Sequence, residues 1–241
     1  MAGERARKPR RQEAGLTVHE VLDRLKVLGS HKAVEGMARF GISTKNTLGV
    51  SLPNIRKVAR KVGTNHAIAQ QLWASGIHEA RILASMVDDP ELVSERQIES
   101  WVRDFDSWDV CDNVCGCLFD KTPFAYEKAV EWSVRNEEFV KRAGFALIAY
   151  LAVHDKKARD EEFVKFLPLI VKGSTDDRNF VKKAVNWALR QIGKRSLKLN
   201  AAAVKTAREI KELDSRAGRW VASDAIRELT DQKVLHRMGN R

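Results

Sequence analysis

The 241-residue sequence predicts an all-α fold, a solenoid of stacked helical repeats with a concave basic groove. Three observations predict it. Apolar residues recur at helical spacing along nearly the whole chain, and no segment alternates with the period of two that a half-buried strand needs. The connections are short and carry capping residues at their ends, as antiparallel helix neighbours require. A five-residue pattern also recurs at a displacement near 40, the length of a unit built from two or three helices.

Taken in order, residues 1–15 hold Arg5, Arg7, Lys8, Arg10 and Arg11 with almost nothing apolar, and read as a disordered basic tail. Thr17-Val18-His19-Glu20 then has capping-box spacing, and Gly29 stands where the first helix should stop. Pro53, Pro90 and Pro123 each follow a short connection and suit a first helical turn, where a missing N–H costs nothing. Helices are expected at 17–28, 30–39, 53–62, 65–75, 78–87, 90–102, 107–119, 122–134, 137–153, 160–170, 177–193, 200–212 and 215–229. The longest connection runs from Phe40 to Leu52, with Gly41 and Gly49 inside it. The expected organisation is a 1–15 tail, one repeat domain over 16–230, and a C-terminal tail over 231–241.

Phe139-Val140-Lys141-Arg142-Ala143 returns as Phe180-Val181-Lys182-Lys183-Ala184, and a weaker echo follows at Arg216-Ala217-Gly218-Arg219-Trp220. Such a period is the signature of HEAT-type repeats, whose units cannot bury their faces alone and so stack into a curve. Lys and Arg number 43 against 32 Asp and Glu, a net charge of +11 that favours a polyanionic partner.

No stretch has the apolar length of a membrane span, and the N-terminus lacks the apolar core of a signal peptide, so a cytoplasmic location is expected. Cys111, Cys115 and Cys117 make a poor disulfide framework. A zinc site would need a fourth ligand such as His78 or His154 and has no CxxC spacing behind it, whereas free cysteine commonly packs as a small hydrophobe. No metal and no nucleotide cofactor is expected.

On the helix from Phe180 to Gly193, Val181, Ala184, Val185, Ala188, Leu189 and Ile192 form the apolar arc. Lys183, Trp187, Arg190 and Lys194 fall at i, i+4, i+7 and i+11 along its edge, a stripe suited to a phosphate backbone and a sugar or base. The same spacing also fits Trp187 in the core with solvated cations. Arg56, Lys57, Arg60 and Lys61 form a second basic cluster, of the commonest surface kind. In Ser107-Trp108-Asp109-Val110-Cys111-Asp112-Asn113, Asp112 lies about 40° round the helix from Trp108, on the boundary of the apolar arc. It is either a half-buried acid facing a groove or a surface aspartate near a helix start. Arg142 enters an apolar helix as an isolated cation and needs an anion, either Asp112 or a phosphate.

Trp108, Asp112, Arg142 and Trp187, together with Ser107-Trp108-x-x-x-Asp112, Lys141-Arg142-Ala143 and Val181-Lys182-Lys183-Ala184-Val185-Asn186-Trp187-Ala188-Leu189-Arg190, resemble the AlkD-like DNA alkylation repair glycosylases, a HEAT-like-repeat family. The resemblance extends from about residue 16 to 230. It implies excision of positively charged N3- or N7-alkylpurines from duplex DNA, without flipping the base into a pocket; the helical repeat is expected to be a monomer. It implies Asp112 as the catalytic carboxylate, Trp108 and Trp187 as aromatic walls, and Arg142 as a phosphate contact. Where family members place a tyrosine on an early helix, the nearest candidate here is Phe40. Two other readings compete: a non-catalytic repeat protein that binds duplex or structured DNA, and a protein-binding scaffold. The scaffold calls for an apolar inner stripe, which Lys183, Arg190 and Lys194 speak against.

Overall fold

Side-chain caps start many of the helices. In this computed structural model, which describes residues 16–239, the Thr17 hydroxyl accepts from Glu20 N while Glu20 accepts from Thr17 N, so α1 spans Val18–Val27 as its capping box requires. Ser30, Asn65, Ser94, Ser196 and Ser215 cap α2 (His31–Ala38), α4 (His66–Ala74), α6 (Glu95–Arg103), α13 (Leu197–Lys211) and α14 (Arg216–Leu229), each side chain accepting one N–H of the first turn. Pro53 lies in the first turn of α3 (Leu52–Val62). The remaining helices are α5 (His78–Val87), α7 (Trp108–Cys117), α8 (Ala125–Ser133), α9 (Glu138–His154), α10 (Asp160–Val164), α11 (Leu167–Gly173), α12 (Asn179–Gly193) and α15 (Gln232–Gly239). A 3-10 turn at Phe119–Lys121 follows α7. There is no strand among the described residues.

The structure corrects four boundaries. Pro90 lies in a turn, because the Ser94 hydroxyl takes the Gln97 N–H and starts α6 at Glu95 instead. Pro123 also precedes its helix rather than opening it. The helix expected over 160–170 breaks into α10 and α11, since Pro168 cannot donate to the carbonyl four residues earlier. The segment expected as a C-terminal tail carries α15 up to Gly239. The basic segment 1–15 lies outside the described residues.

The helices pack in two rows. In one, α3, α5, α7, α9, α12 and α14 each touch the next in that order. Behind it, α4 backs α5, α8 backs α9, and α11 and α13 back α12. The repeat is visible as register: Val140, Val181 and Val221 are buried at equivalent positions, as are Gly144, Val185 and Ala225, then Ile148, Leu189 and Leu229. The third unit therefore aligns through Trp220-Val221 rather than through the echo starting at Arg216. This is an all-α, HEAT-like repeat fold. The tryptophans divide accordingly. Trp73, Trp101 and Trp132 are core, with Trp73 and Trp101 stacked at 4.0 Å, whereas Trp108 and Trp187 are half-buried and Trp220 is 41% exposed.

Candidate active site

Because α7 and α9 are neighbours in the first row, one turn of each can face the other. Asp112 stands one turn after Trp108 on α7, and Arg142 comes from the first turns of α9. Arg142 Nε donates to Asp112 Oδ1 at 2.9 Å and Nη2 to Oδ2 at 2.7 Å, a two-pronged grip. Its Nη1 donates to the carbonyl of Phe180 at 2.6 Å, so the pair ties α7, α9 and α12 together. Of the two anions the sequence left open for Arg142, the carboxylate is the one it meets. The side chains are 7% and 16% exposed for Arg142 and Asp112, so both are largely buried and the carboxylate is the less so.

Burial pushes the Asp112 carboxyl above its ordinary value, and the Arg142 charge and hydrogen bonds work against that push. Burial opposes the charge on Arg142, but the Asp112 field outweighs it and holds the guanidinium above its ordinary value. Asp109, one position into α7's polar arc, is turned away from this pair. Its Oδ2 meets His78 Nε2 at 2.8 Å and its Oδ1 accepts from the Ser107 hydroxyl at 2.9 Å.

Aromatic rings lie on both sides of the pair in the fold. The Arg142 guanidinium lies 6.0 Å from the centre of the Trp108 ring, whose Nε1 donates to the Phe40 carbonyl at 3.0 Å. One turn beyond Asp112, Gly116 leaves room for Tyr150 of α9: a Cβ at Gly116 would lie 2.3 Å from that ring. Tyr150 meets Trp187 edge to face at 5.0 Å and 83°. Burial, then the nearby Asp112 charge, pushes the Tyr150 hydroxyl far above its ordinary value. Tyr150 was not legible as a site residue, since α9 reads as apolar nearly all round. Its one signal was Gly116, placed i+4 from Asp112.

The connection from Phe40 to Leu52 reaches this site from the side. The buried Glu79 carboxylate accepts from Leu48 N at 2.9 Å, Gly49 N at 2.6 Å and Val50 N at 3.1 Å, which pins its far end. At its near end Gly41 has φ +70°, and a Cβ there would lie 2.6 Å from the Phe180 ring, so glycine is required twice over. The connection thus runs from Trp108 and Phe180 at its near end to Glu79 at its far end. Beneath it a cavity of about 390 Å³ is lined by Met37, Ile42, Leu52, Ile82, Trp108 and Asn113, among others.

The cationic stripe on α12 is partly engaged. Lys183 is exposed, whereas Lys194 Nζ donates to Glu228 Oε1 at 2.6 Å. Arg190 donates to the same carboxylate and lies 3.7 Å from Asp224. Burial works to raise the Glu228 value, but those two cations overcome it and lower it. Arg56, Lys57, Arg60 and Lys61 are exposed on α3. Cys111 and Cys115 are buried, each S–H facing a backbone carbonyl of α9 at 3.7 Å. His78 and His154, considered beside the cysteines as zinc ligands, are instead held by Asp109 and Asp120.

The model of the family described as "DNA alkylation repair enzyme" matches residues 21–229. A solved structure described as "A new family of proteins related to the HEAT-like repeat DNA glycosylases with affinity for branched DNA structures" aligns with a TM-score of 0.74. It is 19% identical, and the alignment covers 88% of this chain and 95% of that one, which supports the fold. A designed armadillo repeat protein also aligns, at 16% identity over 74% of this chain and 92% of that one, but its TM-score of 0.35 is too low to carry an argument. No curated protein matches this sequence. With a family match that takes in every residue of the site described above, the chain belongs to the DNA alkylation repair enzyme family.

Proposed function

We propose that this protein hydrolyses the N-glycosidic bond of positively charged N3- and N7-alkylpurines in duplex DNA. The observation that carries the reading is Asp112, a largely buried carboxylate held by Arg142 in a neighbourhood that also contains Trp108, Tyr150 and Trp187. An alkylated purine already bears a positive charge, so it leaves without a general acid. The C1′–N bond breaks with its electron pair going to the purine, which becomes neutral. The sugar then carries the charge until water adds at C1′ and releases a proton. An ionised Asp112 at that sugar stabilises the developing charge, and the aromatic rings hold the sugar and exclude competing water.

Arg142 supports this chemistry indirectly. By gripping both oxygens it fixes the carboxylate's orientation and favours its ionised form. Lys183 supplies a phosphate contact, and Arg190 and Lys194 exchange Glu228 for phosphates when duplex DNA docks along the first row of helices. The protein acts as a monomer, on DNA in the cytoplasm, with no nucleotide cofactor. Among the described residues no helix is long and apolar enough to cross a membrane.

One observation favours a second reading, a non-catalytic protein that binds duplex or structured DNA: Arg142 already occupies both oxygens of Asp112. Incubation with a duplex containing 7-methylguanine separates the two. Base release with abasic-site formation supports the glycosylase, and tight binding without release supports the other.

A further inference from the structure

The facing edges of α12 and α14 form a ladder. On α14, Trp220, Asp224 and Glu228 recur every four residues, and on α12 they meet Lys182, Asn186, Arg190 and Lys194. At the lower rungs each α12 side chain finds an acid: Arg190 and Lys194 share Glu228, and the neutral Asn186 donates through Nδ2 to Asp224 at 2.7 Å. At the top rung the acid is missing. Lys182 Nζ lies 5.4 Å from the centre of the Trp220 ring, so one face of an indole stands where the other rungs have a carboxylate.

Nothing in the fold demands this. Val221, next to Trp220, supplies the burial that Val140 and Val181 supply in the other units, and the indole itself remains 41% exposed. The cations close to Trp220 and Lys182 in sequence are in surplus. Among the described residues neither Lys183 nor Arg216 is paired with an acid, and Arg219 reaches only the exposed Asp214 at 3.4 Å. An indole left 41% exposed, with Lys182 against one face and Arg216 one turn before it on α14, matches a ligand that is planar and anionic at once, and each nucleotide of an unpaired strand offers a base to stack and a phosphate to pair.

We infer that Trp220, with Lys182, Lys183 and Arg216, forms a stacking platform for an unpaired nucleobase. It lies one helix beyond the Asp112–Arg142 pair, because Lys182 shares the first turn of α12 with Phe180, whose carbonyl receives Arg142. The inference rests on the DNA-binding reading above and adds to it a preference for DNA with a single-stranded arm. In a paired duplex every base is already stacked, so the platform contributes to duplex binding only through its cations.

The test compares binding of two labelled DNAs, a blunt duplex and the same duplex carrying an unpaired arm, by fluorescence anisotropy at fixed salt. Wild type is expected to bind the armed DNA roughly 10-fold more tightly, the size that one base–aromatic stack supplies. Trp220→Ala is expected to lose that advantage and keep its duplex affinity, and Trp220→Phe to retain most of it. The melting temperature of each variant checks that the fold is intact, as the exposed ring makes it. Equal affinity of wild type and Trp220→Ala for the armed DNA overturns the platform while leaving the glycosylase reading in place. If wild type binds neither DNA, the DNA-binding reading itself fails and takes the platform with it.

Discussion

Arg142 holds Asp112 through two hydrogen bonds, Nε to Oδ1 at 2.9 Å and Nη2 to Oδ2 at 2.7 Å, in a site where both side chains are largely buried. Removing one partner strands the other charge, a loss of about 3 kcal/mol or more for buried pairs. Arg142→Ala is therefore expected to lower the denaturant midpoint. It also removes the influence that restrains the Asp112 carboxyl, so the acid limb of the pH–rate profile is expected to move to higher pH. The sign follows from the chemistry: the ionised carboxylate is the active form, burial already raises its value, and loss of the guanidinium raises it further. An unmoved acid limb contradicts the positioning role.

Gly116 and Tyr150 offer a test on the other side of the carboxylate. A methyl group at Gly116 would sit 2.3 Å from the Tyr150 ring, so Gly116→Ala forces the ring and its partner Trp187 to shift. A stability loss of about 1–3 kcal/mol is expected from overpacking. Single-turnover base release is expected to slow while duplex affinity changes little, because the phosphate-facing cations lie elsewhere. Matching losses in rate and affinity would argue that Tyr150 supports the fold alone.

Glu228 restrains two cations of the α12 stripe. Glu228→Gln is expected to free Arg190 and Lys194 for phosphate, tightening duplex binding and steepening its salt dependence by roughly one to two units of log–log slope. The side chains are a quarter to a third exposed, so the stability cost is expected to stay below about 1 kcal/mol. Replacing Lys183, Arg190 and Lys194 together with Ala should do the reverse, weakening all duplexes alike and flattening the slope. Titrations across salt concentrations read both, and an unchanged slope in either variant moves the DNA to another face.

Asp176 sets part of the acid stability. Burial works against its charge, but hydrogen bonds from Arg178 and Lys141 overcome that and hold its carboxyl down at about 2. A depressed folded value stabilises the protein above the unfolded value of about 4, and that contribution is lost as pH falls toward 2. Asp176→Asn is expected to cost about 1 kcal/mol at neutral pH, since solvent screening reduces what the shift alone implies, and to flatten the acid arm of a stability–pH curve. An acid arm as steep as the wild type's would assign that titration to other carboxylates.

The sequence carried the parts of the site that follow from helical period. Trp108 and Asp112 share a face because they are four residues apart, and an isolated cation in an apolar helix must find an anion, which predicted Arg142 to within two choices. The pairing of Arg190 and Lys194 was not legible: Glu228 lies on another helix, 38 and 34 residues away, and periodicity says nothing about which helices become neighbours. Tyr150 was hidden by the apolar pattern around it. The Glu79 clamp on Leu48, Gly49 and Val50 was hidden because backbone N–H groups leave no mark in a sequence. The α10–α11 break and the true start of α6 were present as Pro168 and Ser94, and were outweighed by apolar spacing that fits a longer helix equally well.

The most direct measurement of the central claim is single-turnover release of 7-methylguanine from duplex DNA by wild type and by Asp112→Asn, beside binding and melting curves for both. Asn keeps the size of the side chain and one acceptor for Arg142, so the fold is expected to survive with some loss of stability and DNA binding to stay close to wild type. Base release is expected in wild type and abolished in the variant, because the charge facing the sugar is gone. Release by Asp112→Asn at the wild-type rate would contradict the catalytic assignment, and no release by wild type from any alkylated duplex would leave the protein a DNA-binding member of its family without the excision activity.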